Sequence, residues 1–268
     1  MPWPPASCTA ATGLDPAMAP TIIASPGMPR FRHELADFWR FLWEPDLRRL
    51  PGRRSDSVLA NDWWLGVSFG RLLAWAAVLW SVNLFVLGPI AVTAAGAGGI
   101  AHRLDPAAIP WLAAVLWAPL VEETLFRYGL RRPVQALWVC PAILPPLLWG
   151  MHGWTLAWVI AVLLLASVPL RRGRSTRARW HFSWRRRYLM HFGKIYHLSS
   201  LAFAIVHLNN FALDSPQWLA LLLVLPQWAT GLVLGWMRVR RGIGAAVALH
   251  SIFNAGPMLL IMVVLGLG

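Results

Sequence analysis

Apolar residues run through this chain in long blocks, and the polar residues gather between them. Seven blocks read as helical spans of a bilayer: 72–93, 107–130, 134–149, 154–170, 198–213, 217–237 and 242–267. The third and fourth are short, and Pro141, Pro145 and Pro146 interrupt the third, so this pair reads as two spans or as a kinked, partly re-entrant hairpin. Upstream the period changes. Phe31, Leu35, Phe38, Trp39 and Leu42 recur at helical spacing with Arg32, Glu34, Asp37 and Arg40 between them, until Pro45 stops the pattern. That is an amphipathic helix, either lying on the bilayer surface or packed as a small cytosolic helix on the membrane domain. The pattern predicts an all-α polytopic bundle over 61–268, an interfacial segment over 30–60 and a disordered tail over 1–29. The tail is rich in Pro, Ala and Thr and lacks both the basic n-region and the apolar h-region of a signal peptide.

Composition supports the same class. Of 268 residues, 57% are hydrophobic and 18 are Trp, as in helical membrane proteins. Cys8 and Cys140 have no spacing partner, which excludes a disulfide framework or a cysteine metal site. Basic residues outnumber acidic ones 24 to 11, a balance that in a soluble protein would suggest nucleic acid. Here they occupy alternate loops: eight lie in 1–71, two are Arg131 and Arg132, nine lie in 171–194 and three in 238–241. The opposite loops hold Arg103 alone, so the positive-inside rule places the N-terminus in the cytoplasm and the C-terminus outside. The segment 171–194 mixes Arg with Trp180, Phe182, Trp184 and Tyr188, and a cytoplasmic loop against anionic headgroups explains that mixture without nucleic acid. Lys194 is the single lysine, an arginine bias that points to a GC-rich bacterial genome and hence to a bacterial cytoplasmic membrane.

Three blocks carry polar groups that a membrane span does not need. Glu122, Glu123 and Arg127 lie inside 107–130, where each such group costs about 2.5 to 3.5 kcal/mol at mid-bilayer. On a helix Glu123 and Arg127 stand at i and i+4 in the favourable order for an ion pair. Glu122 points about 100° away and keeps its charge for chemistry. The block 198–213 holds Phe203 and His207, followed by Asn209 and Asn210, and the block 242–267 sets His250 and Asn254 one turn apart. At about 1.5 Å per residue, Glu122, His207 and His250 each lie roughly 12 to 13 Å from the Arg-rich end of their spans. They can therefore converge on one water-filled pocket open to the cytoplasm. His33, His102, His152, His181, His191 and His197 fall in loops or interfacial segments and read as solvated.

A carboxylate and an imidazole around one water form a general-base pair for attack on a carbonyl. A neighbouring His and Asn can donate to the oxyanion, at roughly 3 to 4 kcal/mol per donor. Glu122, His207 and His250 also match the His₂Glu set of a catalytic zinc, so the residue types leave a metal open. The motifs Glu122-Glu123-x-x-x-Arg127, Phe203-x-x-x-His207 and His250-x-x-x-Asn254, in this order and each in an apolar block, resemble the three signatures of the CPBP family. These are the CAAX-protease and bacteriocin-processing, or Abi, intramembrane proteases, which include the Ras-converting CAAX endopeptidases. The resemblance covers about 107–267 and takes in Gly231-Leu-Val-Leu-Gly235-Trp-Met-Arg238; Tyr128 departs from it, standing where many members carry Gly.

The resemblance implies a glutamate-type intramembrane endopeptidase with no cofactor, zinc being the alternative. Glu122 would be the base, sharing the water with His207. His250 and Asn254 would form the oxyanion hole, with Glu123, Arg127 and Phe203 in support. The implied partners are the bilayer and a membrane-associated peptide or protein, such as a prenylated CAAX protein, a bacteriocin leader or a C-terminal sorting tail. A non-catalytic scaffold or chaperone on the same fold would keep partner binding without chemistry. A transporter would spread its polar groups across the bilayer, whereas these share one depth and no inverted repeat is present.

Overall fold

Prolines decide where the helices of this chain change pitch. The computed structural model describes residues 30–50, 62–103, 110–167, 177–212 and 218–266. The expected tail over 1–29 lies outside the described residues. Helix α1 (Phe31–Trp43) comes first, followed by α2 (Phe69–Gly98), whose 30 residues pass through a π-helical turn at Asn83–Leu87. A second π turn, Ala113–Trp117, leads into α3 (Ala118–Phe126). Each π turn ends two residues before a proline, Pro89 or Pro119. Proline has no N–H, and its ring displaces the carbonyl four residues back, so the preceding turn widens to i→i+5. In the second case the Ala118 N–H goes to the Ala113 carbonyl and Pro119 has none to give. The carbonyl of Ala114 is thereby released from the helix ladder.

Helix α4 (Pro133–Trp149) runs unbroken through its three prolines and packs on α5 (Gly153–Ser167). The Ala142 carbonyl, deprived of the Pro146 N–H, accepts instead from the Trp158 indole at 2.7 Å. The basic segment expected as a loop over 171–194 is helical from Arg177: α6 (Arg177–Met190) meets α7 (Phe192–Val206) at a bend of 68°. Helix α7 begins six residues before the block expected from 198 and gives way at His207–Asn210 to a 3₁₀ turn. There follows β2 (Phe211–Ala212), antiparallel to β1 (Ala101–His102), with Ala101 opposite Ala212. The sixth block is two helices, α8 (Ala220–Leu223) and α9 (Leu225–Arg241), because Pro226 cannot continue a ladder from α8. Helix α10 (Ile243–Leu265) closes the chain.

The result is a helical, membrane-type fold with one short strand pair among the described residues. Among the described residues, α2 and α10 are long and apolar enough to cross a bilayer, and the bent α6–α7 pair makes a third candidate. Helices α4 and α5 are apolar but shorter. Large apolar side chains face outward on several helices, among them Phe85, Leu164 and Val263.

Helix α9 is the axis of the bundle, buried from Thr230 to Arg241 and packed on α7 and α10. Gly231 and Gly235 make the α7 contact possible: a Cβ on Gly235 would stand 2.8 Å from the Tyr196 ring, and one on Gly231 3.1 Å from the Phe203 ring. The Tyr196 hydroxyl donates to the Leu232 carbonyl at 2.7 Å across the same seam.

The end of α9 corrects the reading of 238–241 as a charged cytoplasmic loop. Arg238, Arg240 and Arg241 are buried. Arg238 pairs with Asp62 at 2.6 Å, Arg240 with Asp37 and Asp46 at 2.7 Å each, and Arg241 with Glu34 at 2.5 Å. All four acids come from the N-terminal segment. Guanidinium groups this deep persist only when paired and hydrogen-bonded, so the arginines hold α1 and Asp62 against the bundle. Trp75 and Trp236, whose rings lie 4.6 Å apart, donate their indole N–H groups to Glu34 and Asp37. Burial opposes ionisation of Asp37, yet hydrogen bonds from Arg240 and Trp236 hold its carboxyl below the usual carboxylate range. Asp46 is held lower still: burial again opposes, and Arg48 and Arg240 prevail. Helix α1 packs on the bundle, with Trp39 and Trp43 left exposed on its outer face.

Candidate active site

The site is assembled from α3, α7 and α10, whose contacts bring the three motifs together. Arg127 and Glu123 are fully buried, and their closest N and O atoms lie 3.0 Å apart. The Arg127 guanidinium also sits 3.7 Å above the ring of Phe203, a desolvated cation–π contact worth about 2 kcal/mol. The same Glu123 oxygen lies 3.0 Å from Nδ1 of His250. Glu123 thus holds an arginine on one side and an imidazole on the other.

Glu122 is set apart from that network. Its Oε2 lies 4.0 Å from Nε2 of His207 and 3.8 Å from Nε2 of His250, with a side chain still 16% exposed. His207 Nδ1 is 2.7 Å from the Phe203 carbonyl, which can only accept, so Nδ1 carries the hydrogen and Nε2 faces Glu122. His250 is fixed likewise, its Nδ1–H directed at Glu123 and its Nε2 at Glu122. Phe203 lies among all of these, with ring centroids 4.6 Å from His207 and 5.7 Å from His250. Asn254 spends one amide hydrogen on the Ala114 carbonyl at 2.9 Å, the group that Pro119 releases, and so ties α10 to the π turn before α3.

The spacing changes one expectation. His207 is not part-way up a span beginning near 198; it follows the last residue of α7, roughly 22 Å beyond Phe192. A cavity of 340 Å³ that reaches His207 is lined by Gly88, Ala91, Ala95, His102, Phe211 and Gln227 among others. It lies beside the strand pair, at the opposite end of α9 from the buried arginines. At the Arg-rich end, α1 and its ion pairs pack over the end of α9. Several polar atoms of the site are buried without a hydrogen-bond partner in the protein: Oε2 of Glu122, Oε2 of Glu123 and the three nitrogens of Arg127. Arg127 is compensated there by its ion pair with Glu123 and by the Phe203 ring, whereas Oε2 of Glu122 faces the two imidazoles.

Other groups outside the three motifs hold the site. The Ser199 hydroxyl donates to the Phe126 carbonyl at 2.5 Å, and Arg238 donates to the carbonyls of Arg127 and Tyr128 at 3.1 and 3.4 Å. Arg238 therefore caps the carboxyl end of α3, where the helix dipole favours a cation. Tyr128 is buried and its hydroxyl donates to Gln135 at 3.0 Å, which joins the end of α3 to α4. The only advance sign of the tight α7–α9 seam was the small-residue spacing of Gly231 and Gly235.

Glu122, His207 and His250 are zinc-type donors in kind. Their separations of 3.8 and 4.0 Å exceed the roughly 3.4 Å between ligands on one tetrahedral zinc. Among the described residues no group of three His, Cys, Asp or Glu is arranged to hold a metal ion.

Fold and site together define a class: a membrane-type helical protein with a carboxylate and two imidazoles gathered between helices. The chain belongs to the family of type II CAAX prenyl endopeptidase Rce1-like proteins, whose family model matches residues 105–256, more than half of its length. It is accordingly a protease of the CAAX type, acting on a membrane-associated protein. No curated protein and no solved structure matches the chain. The matched region contains Glu122, His207, His250 and Asn254, while α1 and the four acids that bind the α9 arginines lie before it.

Proposed function

We propose that the chain is a glutamate-type intramembrane endopeptidase, which hydrolyses a peptide bond of a membrane-associated peptide or protein with no metal. The observation that carries this reading is the position of Glu122, whose Oε2 lies 3.8 and 4.0 Å from two imidazole nitrogens on two other helices. That gap suits a water shared at about 2.8 Å by each group. Glu122 takes the water proton while His207 Nε2 orients the oxygen toward the scissile carbonyl. As the new C–O bond forms, His250 meets the oxyanion from Nε2, carrying a proton on each nitrogen from the start so that Nδ1–H stays on Glu123. Asn254 adds its second amide hydrogen. Collapse breaks the C–N bond, and Glu122 passes its proton to the leaving nitrogen. Glu123, Arg127 and Phe203 hold the frame.

With α3 and α9 counted beside α2, α4, α5, α7 and α10, the bundle crosses a bacterial cytoplasmic membrane seven times. The exposed arginines Arg30, Arg48 and Arg185 to Arg187 support a cytoplasmic N-terminus. Substrates include prenylated proteins with a CAAX-like end, peptide leaders or sorting tails. The test is cleavage of lipid-tethered peptides by protein reconstituted in vesicles. Glu122→Gln and His207→Ala are each expected to lower kcat by about 10² to 10⁴-fold with normal accumulation and thermal stability. Full turnover by either variant sinks the reading, and partner binding that survives both without any cleavage by wild type would instead indicate a scaffold.

A further inference from the structure

A second cavity, of 460 Å³, lies at the Arg-rich end of the bundle, away from the cavity at His207. It opens between the segment after α1, the loop joining α3 to α4, and α6, and is lined by Leu47, Arg131, Val134, Trp184, Arg185 and Tyr188 among others. Its charged lining is two guanidinium groups, with no carboxylate among the described residues that line it. Arg131 is fixed there by donating to the Leu47 carbonyl at 2.9 Å. Burial first, and then the neighbouring Arg238, bring the Arg131 pKa down to about 10. One wall is a stacked pair, Trp184 and Tyr188, with ring planes within 7° of parallel. The Tyr188 hydroxyl donates to the Leu130 carbonyl at 2.9 Å, so the wall is anchored to the turn that ends α3.

The rest of the lining is apolar, and Val134 and Leu189 within it are exposed, as are Leu137 and Met190 on the same two helices. A small soluble anion would use the arginines and leave that apolar wall without a partner. An amphiphile with an anionic head uses both, and aromatic rings beside arginine suit the level of lipid headgroups. We propose that this cavity binds the headgroup of an anionic phospholipid, its phosphodiester between Arg131 and Arg185 and its acyl chains along Val134 and Leu189. The site is independent of the peptidase reading and lies outside the catalytic groups.

The test is native mass spectrometry of the full chain released from nanodiscs containing phosphatidylglycerol and phosphatidylcholine. Wild type is expected to retain phosphatidylglycerol selectively. Arg185→Gln, an exposed position that does not threaten folding, should weaken retention about fivefold. Arg186→Gln, on the same helix but outside the lining, should leave it unchanged. Equal losses from the two variants would show diffuse attraction to a basic surface and overturn the proposal. Equal retention of phosphatidylcholine, or complete displacement of the lipid by millimolar inorganic phosphate, would overturn it as well.

Discussion

Phe203 has no titratable group, yet its ring supports Arg127, its edge positions two imidazoles and its carbonyl selects the tautomer of His207. The ring can stand there because position 231 has no side chain. Gly231→Ala would place a Cβ 3.1 Å from Phe203 and 3.2 Å from an Arg127 nitrogen, a crowding worth about 1 to 3 kcal/mol. The expected result is a lower melting temperature in detergent together with a drop in kcat; a variant silent in both measurements would mean that the seam is looser than described. Asn254→Ala would strand the Ala114 carbonyl, at a cost of about 1 to 3 kcal/mol, and remove the oxyanion donor proposed above. Cleavage should fall further than that stability loss accounts for. On the metal-free mechanism proposed above, dialysis against EDTA is expected to leave turnover intact; loss of activity restored by zinc would overturn that proposal.

At the scale of elements, α3 is held from both ends by groups that sequence spacing does not connect. Its preceding π turn is tied to α10 through Asn254, and its carboxyl end is capped by Arg238. Arg238 in turn rests on Asp62, 176 residues earlier in the chain. Asp62→Asn would leave a buried guanidinium short of its carboxylate, and breaking such pairs costs about 3 to 5 kcal/mol. Thermal unfolding should show that loss, and the double variant Asp62→Asn with Arg238→Met should recover part of it; an additive double variant would deny the coupling. The blocks themselves were legible in the apolar pattern, as were the helical spacing of Glu123 with Arg127 and of His250 with Asn254. The break before Pro226 and the two π turns were not. A proline in an apolar run can kink, break or widen a helix, and which occurs depends on what accepts the released carbonyl.

Across the whole molecule, buried ion pairs close α1 onto one end of α9, and a cavity that reaches His207 lies at the other. The closure depends on carboxylates with depressed pKa values, so its stabilising effect is complete above the unfolded value of about 3.9 and is lost as pH falls through the lower folded values. Wild type is therefore expected to lose thermal stability on acidification below about pH 4, and Asp37→Asn to be less stable at neutral pH with a flatter acid slope. An unchanged slope would show that α1 contributes little to the fold. The arginines at 238–241 had the appearance of topological signals because loop charge and buried charge look alike in one dimension. Their pairing with Glu34, Asp37, Asp46 and Asp62 appears only when the chain is folded.

The chain's one-dimensional pattern determined the helical membrane class and the identity of the polar residues that a bilayer would not tolerate without purpose. Both follow from local rules: a transfer cost per residue and a helical period. Folding alone decided which atoms meet: that Glu122 faces two imidazole nitrogens while Glu123 is spent on Arg127 and His250, that the cavity lies beside the strand pair, and that the N-terminal acids lock α9. Those outcomes depend on distances between helices far apart in sequence, and such distances are set by packing, by where glycine allows close approach and by where proline releases a carbonyl.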